Sequence, residues 1–323
     1  MRPLKFHPIL KQTLWGGERI IPYKELASGL SRVGESWELS GMPGSESVVA
    51  EGPWAGSTLS ELIGRFGAEL LGKANYARFG QEFPLLVKFI DAREDLSIQV
   101  HPDDELARKR HGKSGKCEMW YVLEAEPGAS LLTGFSRPIA PAEYERRVAD
   151  NTLTDVLNRQ AIASGDVFYL PAGRVHSIGK GSFIVEIQQS SDITYRIYDF
   201  DRRDAAGNSR ELHTELAREA IDFESSENSR ITYAPENNQE VRLVTTPYFT
   251  TSLYTLTART RCDWSATDSF VAIVLLQGSG SLTDNEGNRI DVRQGETWLL
   301  PASTQWTEIT PQTAPLRLLT SRI

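Results

Sequence analysis

The stretch "GDVFYLPAGRVH", Gly165–His176, decides how the chain is read. A glycine opens it, a short apolar and aromatic run follows, and Pro171 and Gly173 mark a second turn. This is a strand held between two turns, with His176 just beyond. The frame G-x5-P-x-G-x2-H returns 130 residues later as "GETWLLPASTQW", Gly295–Trp306. There Ser303 and Trp306 stand in place of the glycine and the histidine. A glycine turn, a strand and a proline turn that recur in this way predict two similar β units. Only the first copy keeps the histidine, so only the first is expected to carry its chemistry.

Around these two copies the chain is mostly short apolar or alternating runs broken by Gly, Pro, Asp and Asn, such as "GSFIVEIQQSS" and "SFVAIVLLQGSGSLT". Many such runs at short spacing predict sandwiches or barrels of antiparallel strands. Three segments depart from this. "STLSELIGRFGAELLG" carries leucines on one helical face, with Thr58 and Glu61 spaced as a capping box; it predicts a helix over about 57–72. "APAEYERRVADNTLTDVLNRQ" predicts a helix over 141–160, with Pro141 at its start. "SRELHTELAREAIDF" predicts a third over 209–222. The polar stretch "ESSENSRITYAPENNQE" that follows is the expected boundary. It separates a first domain, 1–234, from a second, 235–323.

The chain has 323 residues, 40% hydrophobic and 24% charged, with a formal net charge of -8. No basic run with interleaved aromatics occurs, which argues against nucleic acid as a partner. An anionic ligand would need a local basic pocket. Two cysteines, Cys117 and Cys262, make no disulfide framework and suit a reducing compartment. The start of the chain has no apolar run of signal-peptide length, and nothing approaches a membrane span. The expectation is a cytoplasmic protein without a membrane partner, monomeric or weakly homo-oligomeric.

In "LSIQVHPDDE", Leu96–Glu105, Gln99 and His101 are two apart in a strand-like run, so their side chains share a face. Ser97 joins them on that face, and by the same alternation Lys116 shares a face with Glu118. Lys88 lies among apolar residues in "LVKF", where an ammonium needs an anionic partner or ligand.

The Gly165–His176 frame resembles the second sequence motif of the cupin superfamily, small double-sheet jelly rolls. With "LWGG", "GESWELS", "FPLLVKFIDA", "LSIQVHPDD", "KCEMWYVL", "VEIQQSSDITYRIYDFDR" and "RELH" in order, the chain resembles type I mannose-6-phosphate isomerase in its shorter bacterial form. The resemblance runs to about residue 222 and is weak beyond it. It implies a mainly β protein of two cupin-like jelly-roll barrels, the second without metal ligands. It also implies one Zn²⁺ per chain held by Gln99, His101, Glu118 and His176, a nitrogen and oxygen donor set that suits zinc. Iron, manganese or nickel suit such a set in a cupin as well.

The implied reaction interconverts mannose 6-phosphate and fructose 6-phosphate through a cis-enediol. Arg196 matches the family's catalytic arginine. Glu186, ten residues earlier, matches an acidic residue proposed as its base. The alternative role for Glu186 is to orient Arg196 or a ligand. Lys88, Ser97 and Lys116 match positions around the substrate and its phosphate. Trp15, Glu35, Trp37 and Glu38 are expected to pack rather than to touch substrate, Cys117 to pack on the opposite face from Glu118, and His7, His111 and His213 to be structural or exposed. The chain departs from the pattern at Arg202, where eukaryotic members have lysine, and in lacking their large helical insertion. Other readings are an iron-dependent cupin oxygenase, which would need no phosphate pocket, and a non-catalytic sugar-binding cupin.

Overall fold

The computed structural model describes residues 1–203, 206–224 and 228–323. Residues 225–227 of the expected boundary stretch lie outside the described residues. The protein is mainly β, with four large antiparallel sheets.

A seven-stranded sheet runs in the order Arg230–Ile231, Val167–Leu170, Glu118–Ala125, Ser182–Gln189, Leu85–Ala92, Ile9–Gly17, Val33–Leu39. A five-stranded sheet runs Leu157–Ala161, Ser130–Phe135, His176–Ile178, Ile98–Val100, Tyr195–Tyr198. Side chains alternate between faces along a strand, and here each face has its own apolar core. Ile90, Trp120, Phe168 and Ile184 of the first sheet meet Leu131 and Ile178 of the second in one buried cluster. The outer face of the five-stranded sheet, with Ile98, Val100, Tyr195 and Ile197, packs with Ala107, Tyr144 and Ala217 of three helices.

The second half repeats the plan. A six-stranded sheet is ordered Leu4–Lys5, Thr297–Leu300, Val271–Gln277, Leu316–Arg322, Thr250–Leu256, Val241–Thr245. It shares a core of Trp298, Leu300, Ile273, Leu282 and Ile309 with a four-stranded sheet. Its other face meets the seven-stranded sheet: Ala272, Val274, Leu299 and Leu319 join Val87, Phe89, Met119 and Val185 in the largest cluster. Four sheets are thus stacked with three cores between them. The halves are also stitched by the chain start, since Leu4 and Lys5 pair with Leu299 and Trp298. The closed barrels expected from the sequence are not found among the described residues. Each unit is a pair of open sheets packed face to face, as the alternation of large apolar side chains on both faces favours.

The helices are shorter than their sequence patterns predict. Thr58 forms the expected capping box with Glu61, starting Leu59–Phe66. Gly67 then takes φ +47°, a region open to glycine, and a separate turn Ala68–Leu71 follows. The helix expected over 141–160 stops at Ala149. Asn151 turns the chain at φ +55°, Leu153–Val156 forms a 3-10 turn that buries its two apolar ends, and Leu157–Ala161 is a strand paired with Ser130–Phe135. Of 209–222 only Thr214–Ala220 is helical. The residues before it are bound to a strand instead: the backbone N–H of His213 donates to the Arg196 carbonyl at 2.7 Å.

Candidate metal centre

The site is built on the facing sides of the seven- and five-stranded sheets. On the first, Glu186 lies opposite Lys88 on one side and Trp120 on the other, and opposed residues of an antiparallel pair share a face. Gln188 lies opposite Glu118. On the second, Gln99 lies between His176 and Arg196. His101 follows the end of its strand, where its carbonyl accepts the Gly173 N–H at 2.9 Å. Gly173 has φ +85°, so the "PAG" turn of the opening motif can pass close beneath His101.

This register brings His101, Glu118 and His176 together with their ligand atoms within 4.8 Å of one another, all buried. Glu118 Oε1 is 3.2 Å from His176 Nε2, and Oε2 is 3.5 Å from His101 Nε2. Each imidazole uses Nδ1 to reach a backbone carbonyl, of Ile193 for His101 and of Arg174 for His176, both at 2.8 Å. Donation from Nδ1 leaves the Nε2 lone pair aimed inward. Burial, then the Lys116 charge, pushes the His101 imidazole down to about 4, and burial lowers His176. Both rings are therefore neutral and available as ligands. Burial would raise Glu118, but the Lys116 charge holds it well below the ordinary carboxylate range. Its Oε1 has no hydrogen-bond partner among the described residues. A fully buried carboxylate oxygen without a donor costs free energy unless a cation meets it. The Gln99 amide is the fourth group, 3.3 Å from His176 Nε2. The two amide atoms can exchange places by a flip, which would present its oxygen. The donors thus fit a divalent cation.

The other expected residues surround the same cleft, about 720 Å³ including space open to solvent. Lys88, Ser97, Lys116, Glu186 and Arg196 all line it. Lys116 joins the cleft to the buried group, with its ammonium against Glu118 Oε2 and 3.1 Å from His101 Nε2. Lys88 sits 2.9 Å from Glu186, whose second oxygen accepts the Trp120 indole N–H at 3.0 Å. Burial alone would lower Lys88, but Glu186 and Glu35 outweigh it and raise it above an ordinary lysine. Arg196 donates to the Glu211 carbonyl at 2.9 Å, and its buried Nε has no partner among the described residues.

Three of the residues expected only to pack, Trp15, Glu35 and Trp37, also line the cleft. Glu38 does not; it pairs with Lys24 at 2.8 Å. Cys117 is buried next to Glu118, and its Sγ accepts the Ala172 N–H at 3.3 Å. His7 and His111 are exposed, while His213 Nδ1 accepts the Arg196 backbone N–H at 3.2 Å. Asp192, Thr194 and Arg210 line the cleft without having been singled out from the sequence. For Arg210 the signal was there, in the "RELH" run. Arg202 turns away, bonded to Asp199 and to the Asp95 carbonyl.

A stacked antiparallel β architecture with a buried His–Glu–His group, reached through Gln99 and Lys116 of the cleft wall, defines a candidate metalloprotein with a cleft of small-molecule size. Residues 4–132 match the model of the catalytic domain of phosphomannose isomerase type I. The chain is 34% identical to the probable mannose-6-phosphate isomerase GmuF of Bacillus subtilis over 303 residues, 93% of each chain. It is 33% identical to mannose-6-phosphate isomerase of Streptococcus mutans over 302 residues, covering 93% of this chain and 92% of that one. The crystal structure of mannose 6-phosphate isomerase from Bacillus subtilis superposes with a TM-score of 0.90 at 30% identity, covering all of both chains. The chain belongs to the type I mannose-6-phosphate isomerase family.

Proposed function

We propose that the protein is a zinc-dependent aldose–ketose isomerase that interconverts mannose 6-phosphate and fructose 6-phosphate through a cis-enediolate. Family membership supports the reaction. The observation that carries the site is the Glu118 carboxylate between two inward-aimed imidazoles, its Oε1 unpartnered among the described residues, beside a cleft lined by Gln99, Lys116 and Arg196. Gln99, His101, Glu118 and His176 would hold the cation. When bound, it would supply Lewis-acid stabilisation of charge growing on the substrate's C1 and C2 oxygens.

The protein's own groups do the rest. Arg196, beside Gln99 in the sheet, presents a guanidinium for binding and polarising those oxygens. Glu186 is the candidate to carry the proton between C1 and C2. Lys88 and the Trp120 indole grip one carboxylate oxygen each and so fix its direction. Lys88, Ser97 and Lys116 complete the polar lining on the substrate side. Within this reading, residues 1–234 and 235–323 are two cupin-like jelly rolls. The paired sheets support this, with the chain start lent to the second unit. The second unit is non-catalytic, its interior filled by Trp264, Trp298, Tyr254 and aliphatic side chains. The two cysteines of the chain, Cys117 in the first unit and Cys262 in the second, are buried and free, in keeping with a cytoplasmic setting.

The test is elemental analysis paired with a coupled assay on mannose 6-phosphate, before and after chelation. One zinc per chain, with turnover lost on chelation and restored by zinc, is expected. Full turnover by metal-free protein overturns the reading.

A further inference from the structure

The cleft has five nearby cations, and they are not equivalent. Lys88 is neutralised by Glu186 at 2.9 Å, and Lys116 by Glu118, both pairs buried at the metal end. Arg202 is bonded to Asp199 and the Asp95 carbonyl and is absent from the cleft wall. Arg196 and Arg210 remain. Arg210 lies where the cleft meets an open groove lined by Gln12, Thr13, Leu14, Trp15 and Arg32. One edge of its guanidinium is fixed, with Nε donating to Asp199 Oδ2 at 2.7 Å and Nη2 bonded to Oδ1. Nη1 has no hydrogen bond among the described residues. Asp199 is a single carboxylate shared by two arginines, with Arg196 close by, so positive charge is in excess at this mouth although the chain is acidic overall. Burial, then Arg210, lowers Arg196 from an ordinary arginine, which marks the two as repelling neighbours. A dianion between them would relieve that repulsion and could be gripped by both guanidinium groups.

We propose that Arg210 is the residue that recognises the substrate's phosphate, held in aim by Asp199, while Arg202 serves only to fix Asp199. This rests on the isomerase reading, and it places the phosphate at the mouth and the reacting carbons at the metal end. The experiment measures inhibition by inorganic phosphate, together with the preference for mannose 6-phosphate over unphosphorylated mannose in kcat/KM. Arg210→Gln should weaken phosphate inhibition and raise KM by about ten- to a hundred-fold, the factor carried by one charge-assisted hydrogen bond. The preference should fall by the same factor, with kcat less affected. Arg202→Gln should lower the melting temperature and leave phosphate inhibition as it was. Should Arg210→Gln fail to fold, Arg210→Lys keeps the charge without the two-point hold on Asp199, and several-fold weaker phosphate inhibition is then expected. Unchanged phosphate inhibition in the folded Arg210 variant overturns the proposal, as does a fall in kcat alone. A wild-type protein that binds phosphate through Arg210 but turns over no mannose 6-phosphate would instead overturn the isomerase reading and leave this site standing.

Discussion

Glu118 is the residue on which the site turns. It faces His101, His176 and Lys116 at once, at zero exposure. Substituting Glu118 or His101 by Ala should abolish both bound metal and turnover, with metal affinity lowered by more than about 100-fold, the upper range for loss of merely a supporting contact. Arg196→Ala should remove turnover while metal analysis stays unchanged. Lys88 and Glu186 form the second buried pair. Removing one partner of such a pair strands a charge, so Glu186→Ala should cost about 3–5 kcal/mol in urea unfolding. The double variant Lys88→Met, Glu186→Leu should lose less. Asp199 gives a pH-dependent case. Burial would raise its carboxyl, but the hydrogen bonds from Arg210 and Arg202 outweigh that and hold it below 3.8. A depressed carboxyl contributes stability above its unfolded value and loses it as pH falls through the folded one. The gap in urea midpoint between wild type and Asp199→Asn should therefore be full at neutral pH and close as the pH drops below 3.8. At this scale the family resemblance names the four ligand candidates, and strand alternation by itself puts only Gln99 and His101 on one face. Arg210 stands in the "RELH" run, but that run does not tell that the fold turns its guanidinium toward the cleft and that of Arg202 away.

Among the elements, the strands that bear the site were the most legible. "FPLLVKFIDA" and "GSFIVEIQQSS" read as unbroken apolar runs because both faces of their sheet are covered, and Lys88 and Glu186 stand out as the charges those faces must pair. Helices were less legible. Asp104–His111 buries only Ala107 and so shows no apolar stripe. Past Ala149 the expected helix gives way, with Leu153 and Val156 buried in a 3-10 turn and Leu157 opening a strand. The Thr58 cap was readable since its partner is local, and Thr58→Ala should cost about 1 kcal/mol in the same unfolding measurement. "LWGG" needs its glycines for space rather than for unusual dihedrals. A Cβ on Gly16 would come within 2.3 Å of the Arg32 carbonyl, and one on Gly17 within 2.2 Å of the Asp91 carboxylate. Asp91 is in turn bonded to the Arg19 backbone and guanidinium at 2.7 and 2.6 Å. Gly16→Ala should destabilise by about 1–3 kcal/mol, as overpacking does.

At the scale of the whole molecule, the repeat of glycine and proline turns predicts two similar units and says nothing of the core that the six- and seven-stranded sheets share. A repeat reports what units have in common, whereas Leu4, Leu243, Phe270 and Leu319 face the other half and carry no signature of it. Because the largest core is shared, unfolding followed by tryptophan fluorescence and by loss of turnover should coincide in a single transition; Phe270→Ala should shift both together, by about 3–5 kcal/mol. The stack also grades the molecule from inside out. The seven-stranded sheet, covered on both faces, anchors Lys88, Glu118 and Glu186, whereas the five-stranded sheet, anchoring Gln99, His176 and Arg196, has only short helices outside it. Amide deuteration should accordingly be slowest across the former and faster across the latter, the cooperative opening of an outer layer requiring less than global unfolding. The jaw that can swing is then the one bearing the imidazoles, while the carboxylate stays with the anvil.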